Sequence, residues 1–269
     1  MADATVGAGN GKAKKTALVT GASAGLGLEL AQLFAQDGHD VVLVARRKAE
    51  LEALAAKLTA ERGVTAHVIP EDLSSAAAPE RLFAELERRG LEIEFLVNNA
   101  GFGALGRFAE LDLRRQMDMI QVNVNALVHL TGLLVPGMIA RRSGRVLNLG
   151  SAAGFQPGPG MAVYYATKAF VNSFTEALAF ELRDTGVTAT VSCPGATATE
   201  FGDVSGNGKS RLFKARVMTA QAVAAHAYGA MMAGKSLAIA GVGNKAMIQL
   251  QRVAPRAAVR AVAAKLNSV

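Results

Sequence analysis

Residues 16–27 read Thr16-Ala17-Leu18-Val19-Thr20-Gly21-Ala22-Ser23-Ala24-Gly25-Leu26-Gly27. The first five form a short apolar run that reads as a buried strand. The stretch from Leu26 to Asp37 reads as a helix. Between them, each glycine has a distinct task. Gly21 permits a tight turn, Gly25 lets backbone approach a ligand closely, and Gly27 lets the helix pack on the strand. A helix that opens on such a loop points unpaired N–H groups and the positive end of its dipole outward, with Ser23, Ala24 and Leu26 at its mouth. A pyrophosphate suits that place. Glycine triplets are common in turns, so the strand–loop–helix context gives this one its meaning.

Outward from this unit, the chain keeps alternating short apolar runs with amphipathic stretches. Strands are expected at Val41–Ala45, Thr65–Pro70, Phe95–Asn98, Arg145–Leu149, Thr188–Ser192 and Leu237–Ala240. Helices are expected at Lys48–Arg62, Pro79–Arg89 and Tyr164–Asp184, with one long or broken helical region over Leu113–Ala140. Strands that are apolar throughout and alternate with helices imply an α/β fold. It would be a single Rossmann-like, doubly wound parallel sheet of about seven strands, with helices on both faces. Ligands in such sheets sit beyond the carboxyl ends of the strands. That rule selects the loops after Thr20, Ala45, Val97, Leu149 and Ser192.

The end of the second strand decides which dinucleotide fits. An acid there would hold the adenosine ribose hydroxyls. Ala45 stands there instead, followed by Arg46 and Arg47. No carboxylate is expected to repel a 2′-phosphate, and two guanidiniums could hold one bidentately. The expected cofactor is therefore NADP, as NADPH in its reduced form.

Composition limits the alternatives. A chain of 269 residues with 51% hydrophobic and 19% charged residues suits one large domain. Residues 1–14 read as a flexible tail, 15–240 as the main domain with a flexible loop near 199–216, and 241–269 as a helical extension. The net charge is +7, but the basic residues are scattered without aromatic interleaving, which argues against nucleic acid. No apolar stretch is expected to span a bilayer. The N-terminus lacks the apolar middle of a signal peptide. The lone Cys193 excludes an intrachain disulfide and is expected to be a buried thiol, so the cytoplasm is the expected compartment. His39, His67, His129 and His226 lack metal-ligand spacing, and no metal is expected.

Tyr164 and Lys168 lie four apart at a helix start and so share a face. A nearby ammonium is expected to lower the phenol's pKa and fit it for proton exchange with a substrate oxygen. Ser151, 13 residues earlier, could hydrogen-bond the same oxygen. Tyr165 lacks such a partner, because Ala169 stands four residues on.

With these residues in place the chain resembles the short-chain dehydrogenase/reductase family in its short, single-domain form. The resemblance runs from about Thr16 to Thr199. It rests on Thr20-Gly21-x-x-x-Gly25-x-Gly27, Asp72-Leu73, Asn98-Asn99-Ala100-Gly101, Asn123, Ser151 with Tyr164-x-x-x-Lys168, and Pro194-Gly195-x-x-x-Thr199. It implies that Tyr164 is the general acid/base, that Lys168 lowers its pKa and holds the nicotinamide ribose, and that Ser151 orients the substrate carbonyl. Asn123 would complete the tetrad by ordering a water. Asp72 and Leu73 would border the adenine. Asn98, Ala100 and Gly101 would line the cofactor channel, with Asn99 structural. Pro194, Gly195, Thr197 and Thr199 would belong to the nicotinamide end.

The expected activity is NADPH-dependent reduction of a ketone or aldehyde, or the reverse oxidation of an alcohol. The expected pocket runs over Phe102–Leu105, Ala152–Ala162 and Ala196–Phe213, and its lining (Phe102, Phe155, Met161, Phe201, Phe213) favours a hydrophobic substrate. A 3-oxoacyl-thioester reductase is the alternative enzyme, with Lys209, Arg211, Lys214 and Arg216 as its basic surface. A non-catalytic NADP-sensing or scaffold protein is the alternative of another class. The resemblance also implies a homodimer or homotetramer. The extension after residue 240, with its basic and apolar residues, would pack across a dimer, with contact to a membrane surface as the lesser option.

Overall fold

The computed structural model describes residues 14–208, 210–211 and 217–268. The expected N-terminal tail lies outside them apart from Lys14, as do Lys209, Phe213, Lys214 and Arg216.

The principal strands are β1 (Thr16–Thr20), β2 (Asp40–Ala45), β3 (Ala66–Pro70), β4 (Phe95–Asn98), β5 (Gly144–Leu149), β6 (Val187–Cys193) and β9 (Leu237–Ile239). They form one parallel seven-stranded sheet in the order β3-β2-β1-β4-β5-β6-β9. Two short strands, β7 (Thr197–Ala198) and β8 (Met218–Thr219), pair beside it. The strand order reverses between β1 and β4, which opens a crevice at their carboxyl ends.

The unbroken apolar character of the strands follows from burial on both faces. Side chains alternate along β1, so Ala17 and Val19 join one core cluster and Leu18 joins the other, all fully buried. The first cluster is completed by α1 (Gly25–Gln36), α2 (Lys48–Arg62) and α8 (Ala220–Met232), with Leu30, Phe34, Leu51 and Met231 packed inward. The second takes α3 (Ala78–Arg88), α5 (Leu127–Ala140) and α6 (Ala162–Glu181), through Leu82, Leu130, Met138 and Leu182 just past the end of α6. Each such large side chain contributes roughly 1.5–3 kcal/mol by leaving water.

The helical region after Leu113 is continuous. It runs as α4 (Leu113–Ile120), a π-helical turn (Gln121–Ala126) and α5. The expectation that nothing here could span a bilayer needs correcting. Leu113–Ala140 is long enough, and its best 18-residue window has a mean hydropathy of 1.5. Half of that window is buried within the protein, and Met119, Leu127, Leu130 and Met138 of this region are core residues.

Helix α8 was not expected from the sequence. Its run of alanine, with scattered methionine and glycine, carries little periodic contrast. The one local start signal is Thr219, whose hydroxyl accepts a hydrogen bond from the Ala222 N–H at 3.2 Å. The chain after residue 240 forms α9 (Val242–Val253) and α10 (Arg256–Asn267), separated at Pro255. The segment after β6 that was expected to be loose contains α7 (Phe201–Ser205).

Candidate active site

A single cavity of about 960 Å³ runs along the carboxyl ends of the strands. One end is the glycine loop and the start of α2. The other is enclosed by Phe102, Met161, Phe201, Met247 and Leu266.

The loop end is made chiefly of backbone. Gly21 and Gly25 adopt left-handed φ values of +66° and +55°. A Cβ on Gly27 would fall on the Gly21 carbonyl and the Asn99 side chain, so only glycine lets the helix start this close. Ser23, Ala24 and Leu26 face the cavity with Gly21 and Gly25, while Gly27 packs beneath. Asp72 and Leu73 line the same end, and Asp72 accepts the Ser74 N–H at 3.0 Å, which fixes the turn after β3. A backbone cradle opening onto a helix N-terminus, with Arg46 and Arg47 beside it, fits a phosphorylated dinucleotide.

Arg46 and Arg47 both line this end. The Arg47 guanidinium donates to the Ser23 hydroxyl at 3.2 and 3.3 Å and to both Glu200 oxygens at 2.9 and 3.4 Å. The expectation that no carboxylate stands here therefore fails. Glu200 arrives from the far side of the sheet, 153 residues along the chain. No local pattern around Arg47 announces it.

Two further expectations change. Asn98 does not line the cavity. Its side chain turns into the core and donates to Thr131 at 3.1 Å and Asn148 at 2.9 Å. Alternation sends its neighbour outward instead: Asn99 lines the wall and donates to the Thr20 carbonyl at 2.9 Å. Phe155 likewise leaves the cavity and packs against the cluster of Leu127, Val171 and Val191.

Tyr164, Lys168 and Ser151 meet at mid-cavity. The Ser151 hydroxyl is within hydrogen-bonding reach of the Tyr164 phenol and accepts the Ala153 N–H at 3.0 Å. Lys168 Nζ donates to the Leu149 carbonyl at 2.6 Å and lies 5.9 Å from the centre of the Tyr164 ring. Burial pushes the Tyr164 phenol well above its ordinary value, and the Ser151 hydrogen bond only partly opposes this. The expected lowering by Lys168 does not appear, because burial dominates and the ammonium bonds to backbone instead. Burial also pulls Lys168 down to about 8.

Asn123 sits in the π-helical turn, where an extra residue re-aims the side chain. It does not line the cavity. Its Oδ1 accepts the Phe102 N–H at 3.1 Å, and its Nδ2 donates to the Phe102 carbonyl at 3.0 Å and to Thr167 at 3.1 Å. It braces the loop after Gly101 against α6. Ala100, Gly101, Pro194, Gly195, Thr197 and Thr199 line the cavity between its two ends.

Asn172 was missed. It clamps the Ser151 peptide, donating to its carbonyl at 3.0 Å and accepting its N–H at 3.4 Å. It also accepts from the buried Cys193 thiol at 3.3 Å, and burial raises that thiol to about 12. The signal was available: Asn172 lies four residues past Lys168 and eight past Tyr164, on one helix face. Arg115 also lines the wall, held by the Val204 carbonyl at 2.6 Å and by the Phe102 ring.

With this geometry in view, likeness to known proteins becomes informative. The family model described as short chain dehydrogenase matches residues 15–209. The chain belongs to the short-chain dehydrogenase family. It is an oxidoreductase of that family, with an α/β Rossmann-like fold. The NADP-dependent 3-hydroxy acid dehydrogenase YdfG of Salmonella typhi is 39% identical over 189 residues, covering 70% of this chain and 75% of YdfG. A short-chain dehydrogenase from Sphingobium yanoikuyae, solved in complex with NADPH, superposes with a TM-score of 0.79 at 32% identity. That likeness covers 90% of this chain and 97% of the other. The bulky-bulky ketone specific alcohol dehydrogenase from Comamonas testosteroni gives a TM-score of 0.75 at 29% identity, covering 88% and 92% of the two chains.

Proposed function

We propose that this short-chain dehydrogenase reduces a hydrophobic ketone or aldehyde with NADPH and oxidises the corresponding alcohol with NADP in reverse. One observation carries the reading. The Tyr164 phenol, paired with Ser151, faces the same cavity that continues to the glycine loop and to Arg46 and Arg47. The NADP-dependence of YdfG and the NADPH complex of the Sphingobium protein support the cofactor.

Bound in this cavity, the nicotinamide supplies the hydride in reduction or accepts it in oxidation. The chain's own residues manage the proton and the charge. Tyr164 stays protonated through the physiological range, which suits it to give its phenolic proton to the carbonyl oxygen as that oxygen becomes an alkoxide. Ser151 donates a second hydrogen bond to the same oxygen, its backbone held by Asn172. The phenolate left behind keeps the Ser151 hydrogen bond, while Lys168, cationic below about 8, would hold the nicotinamide ribose hydroxyls. The glycine loop would take the pyrophosphate. Arg46 and Arg47 would take the 2′-phosphate.

The substrate end supports a hydrophobic partner, since Phe102, Met161, Phe201, Met247 and Leu266 meet there. Arg115 on the same wall, together with the likeness to a 3-hydroxy acid dehydrogenase, favours a second reading in which the substrate also carries a carboxylate. Exposed Phe170 and Phe180 on α6 support a homo-oligomer, and the lone buried Cys193 is compatible with the cytoplasm.

The test is a panel of ketones, aldehydes and oxo acids assayed with NADPH and NADH side by side, in wild type and Tyr164→Phe. The expected result is NADPH-dependent turnover that falls by about a hundred- to ten-thousandfold in the variant, with NADPH binding retained. Turnover that survives the substitution intact would sink the mechanism. NADPH binding with no turnover on any carbonyl would favour the sensing role instead.

A further inference from the structure

The family match ends at residue 209, so α9 and α10 lie beyond it. These helices fold back over the chain's own cavity. Met247 from α9 and Leu266 from α10 both line it. The fold-back is pinned at one buried point. Asn267, 3% exposed, accepts the Tyr165 hydroxyl proton at 3.1 Å and donates to the Pro159 carbonyl at 3.0 Å. Next to it, the Arg211 N–H donates to the Ser268 carbonyl at 3.1 Å, which ties the tail to the segment after α7. On α9, Gln251 donates to Gln156 at 2.6 Å, and Ile248 is buried.

Tyr165 thus has a task that a missing lysine partner does not reveal. It sits beside Tyr164 with ring centroids 6.1 Å apart, edge to face. Its ring lies so close on Gly158 that any side chain there would collide with it. Its hydroxyl is spent on the last turn of the chain. The pair of neighbouring tyrosines therefore divides its labour. Tyr164 turns to the reacting centre, and Tyr165 holds the wall that bounds it.

We propose that the Tyr165–Asn267 hydrogen bond is the pin that seats α9 and α10 against the substrate end, so that Asn267 governs how long a substrate that end admits. This rests on the carbonyl-reductase reading and adds the substrate's shape to it. The molecule selected is an apolar carbonyl compound long enough to reach Met247 and Leu266. Asn267 acts as a positioning residue through the tail. Its loss should leave the cofactor end and the chemistry untouched and blur the distinction between long and short substrates.

The test uses the full chain. Asn267→Ala, Tyr165→Phe and Leu266→Ala are compared with wild type on a short methyl ketone and on a long or bulky apolar ketone. NADPH affinity is followed by fluorescence, and hydrogen exchange is measured over residues 256–268. In Asn267→Ala, KM for the long ketone is expected to rise about tenfold or more, while KM for the short one moves less than about threefold. NADPH affinity should be unchanged, and the tail amides should exchange faster. Leu266→Ala should lower the long-over-short ratio of kcat/KM without loosening the tail. Tyr165→Phe should act like Asn267→Ala, and the double variant should add little to either single one. Equal losses on both ketones, or no change on either with the tail loosened, overturn the proposal. If wild type turns over no carbonyl while the tail responds as described, the function reading has failed and the pin has not.

Discussion

The cradle at the loop end of the cavity is built from the backbone of one short stretch, whereas the substrate end is built from side chains at five distant positions. Residues 20–27 make the first, with Arg46, Arg47, Asp72 and Leu73 beside it. Phe102, Met161, Phe201, Met247 and Leu266 make the second. The difference reflects what each end must bind. A pyrophosphate needs N–H groups and close approach, which backbone and glycine supply in any sequence that keeps the turn. A particular carbonyl compound needs a shaped apolar wall, which only side chains supply. Such a wall can change position by position while the loop stays as it is.

The two ends meet at Lys168, and there the comparison predicts its largest effect. Lys168 is buried beside Tyr164 and the Leu149 carbonyl, and its folded pKa is pulled down to about 8. An unfolded lysine titrates near ~10.4. A folded value below the unfolded one means that the native state binds the proton less well. The penalty is therefore complete below about pH 8 and fades as pH rises toward the unfolded value. Lys168→Met should raise stability by roughly 2–4 kcal/mol at pH 7 while abolishing turnover. Thermal unfolding of both proteins from pH 6 to pH 10 measures this, and the gap should close toward pH 10. A gap that widens with pH would show that the Leu149 hydrogen bond, not burial, governs this lysine.

At the loop end the sharpest expectation is Gly27→Ala. Its methyl group would have to displace the Gly21 carbonyl and Asn99. Overpacking of this kind costs roughly 1–3 kcal/mol. Because the displaced atoms belong to the cradle itself, NADPH affinity should fall along with stability. Stability loss with unchanged NADPH affinity would show that the cradle is not the binding element. The same locality explains why this end could be read from sequence. The strand, the glycines and the helix start are neighbours in the chain, and each has a fixed task. The alternation of apolar runs likewise gave the parallel sheet, and the Tyr164–Lys168 spacing gave the shared helix face. What stayed hidden depended on three-dimensional return. Helix α8 carries almost no periodic contrast. Asn98 and Asn99 exchange places because the side-chain direction at the end of β4 was not resolved by motif alone. The lowering expected for Tyr164 assumed an ammonium aimed at the phenol, whereas Lys168 is aimed at the Leu149 carbonyl.

Glu200 crosses the boundary between the two ends and gives the smallest expected effect. It belongs to the segment that leads into Phe201 on the substrate wall, yet its carboxylate holds Arg47 at the loop end. Both side chains are substantially exposed, 43% and 58%, so the pair contributes at most about 1 kcal/mol. An incoming 2′-phosphate carries more charge than the carboxylate and must compete with it for the same guanidinium. Removing the carboxylate's charge should therefore tighten NADPH binding up to about fivefold in Glu200→Gln, a gain that salt should diminish. NADH, which has no 2′-phosphate, should bind as before. Titration of both cofactors at low and high salt separates the outcomes. Equal tightening of NADPH and NADH would mean that Glu200 acts by closing the cleft as a whole, and the two ends of the cavity would then be mechanically joined through Arg47.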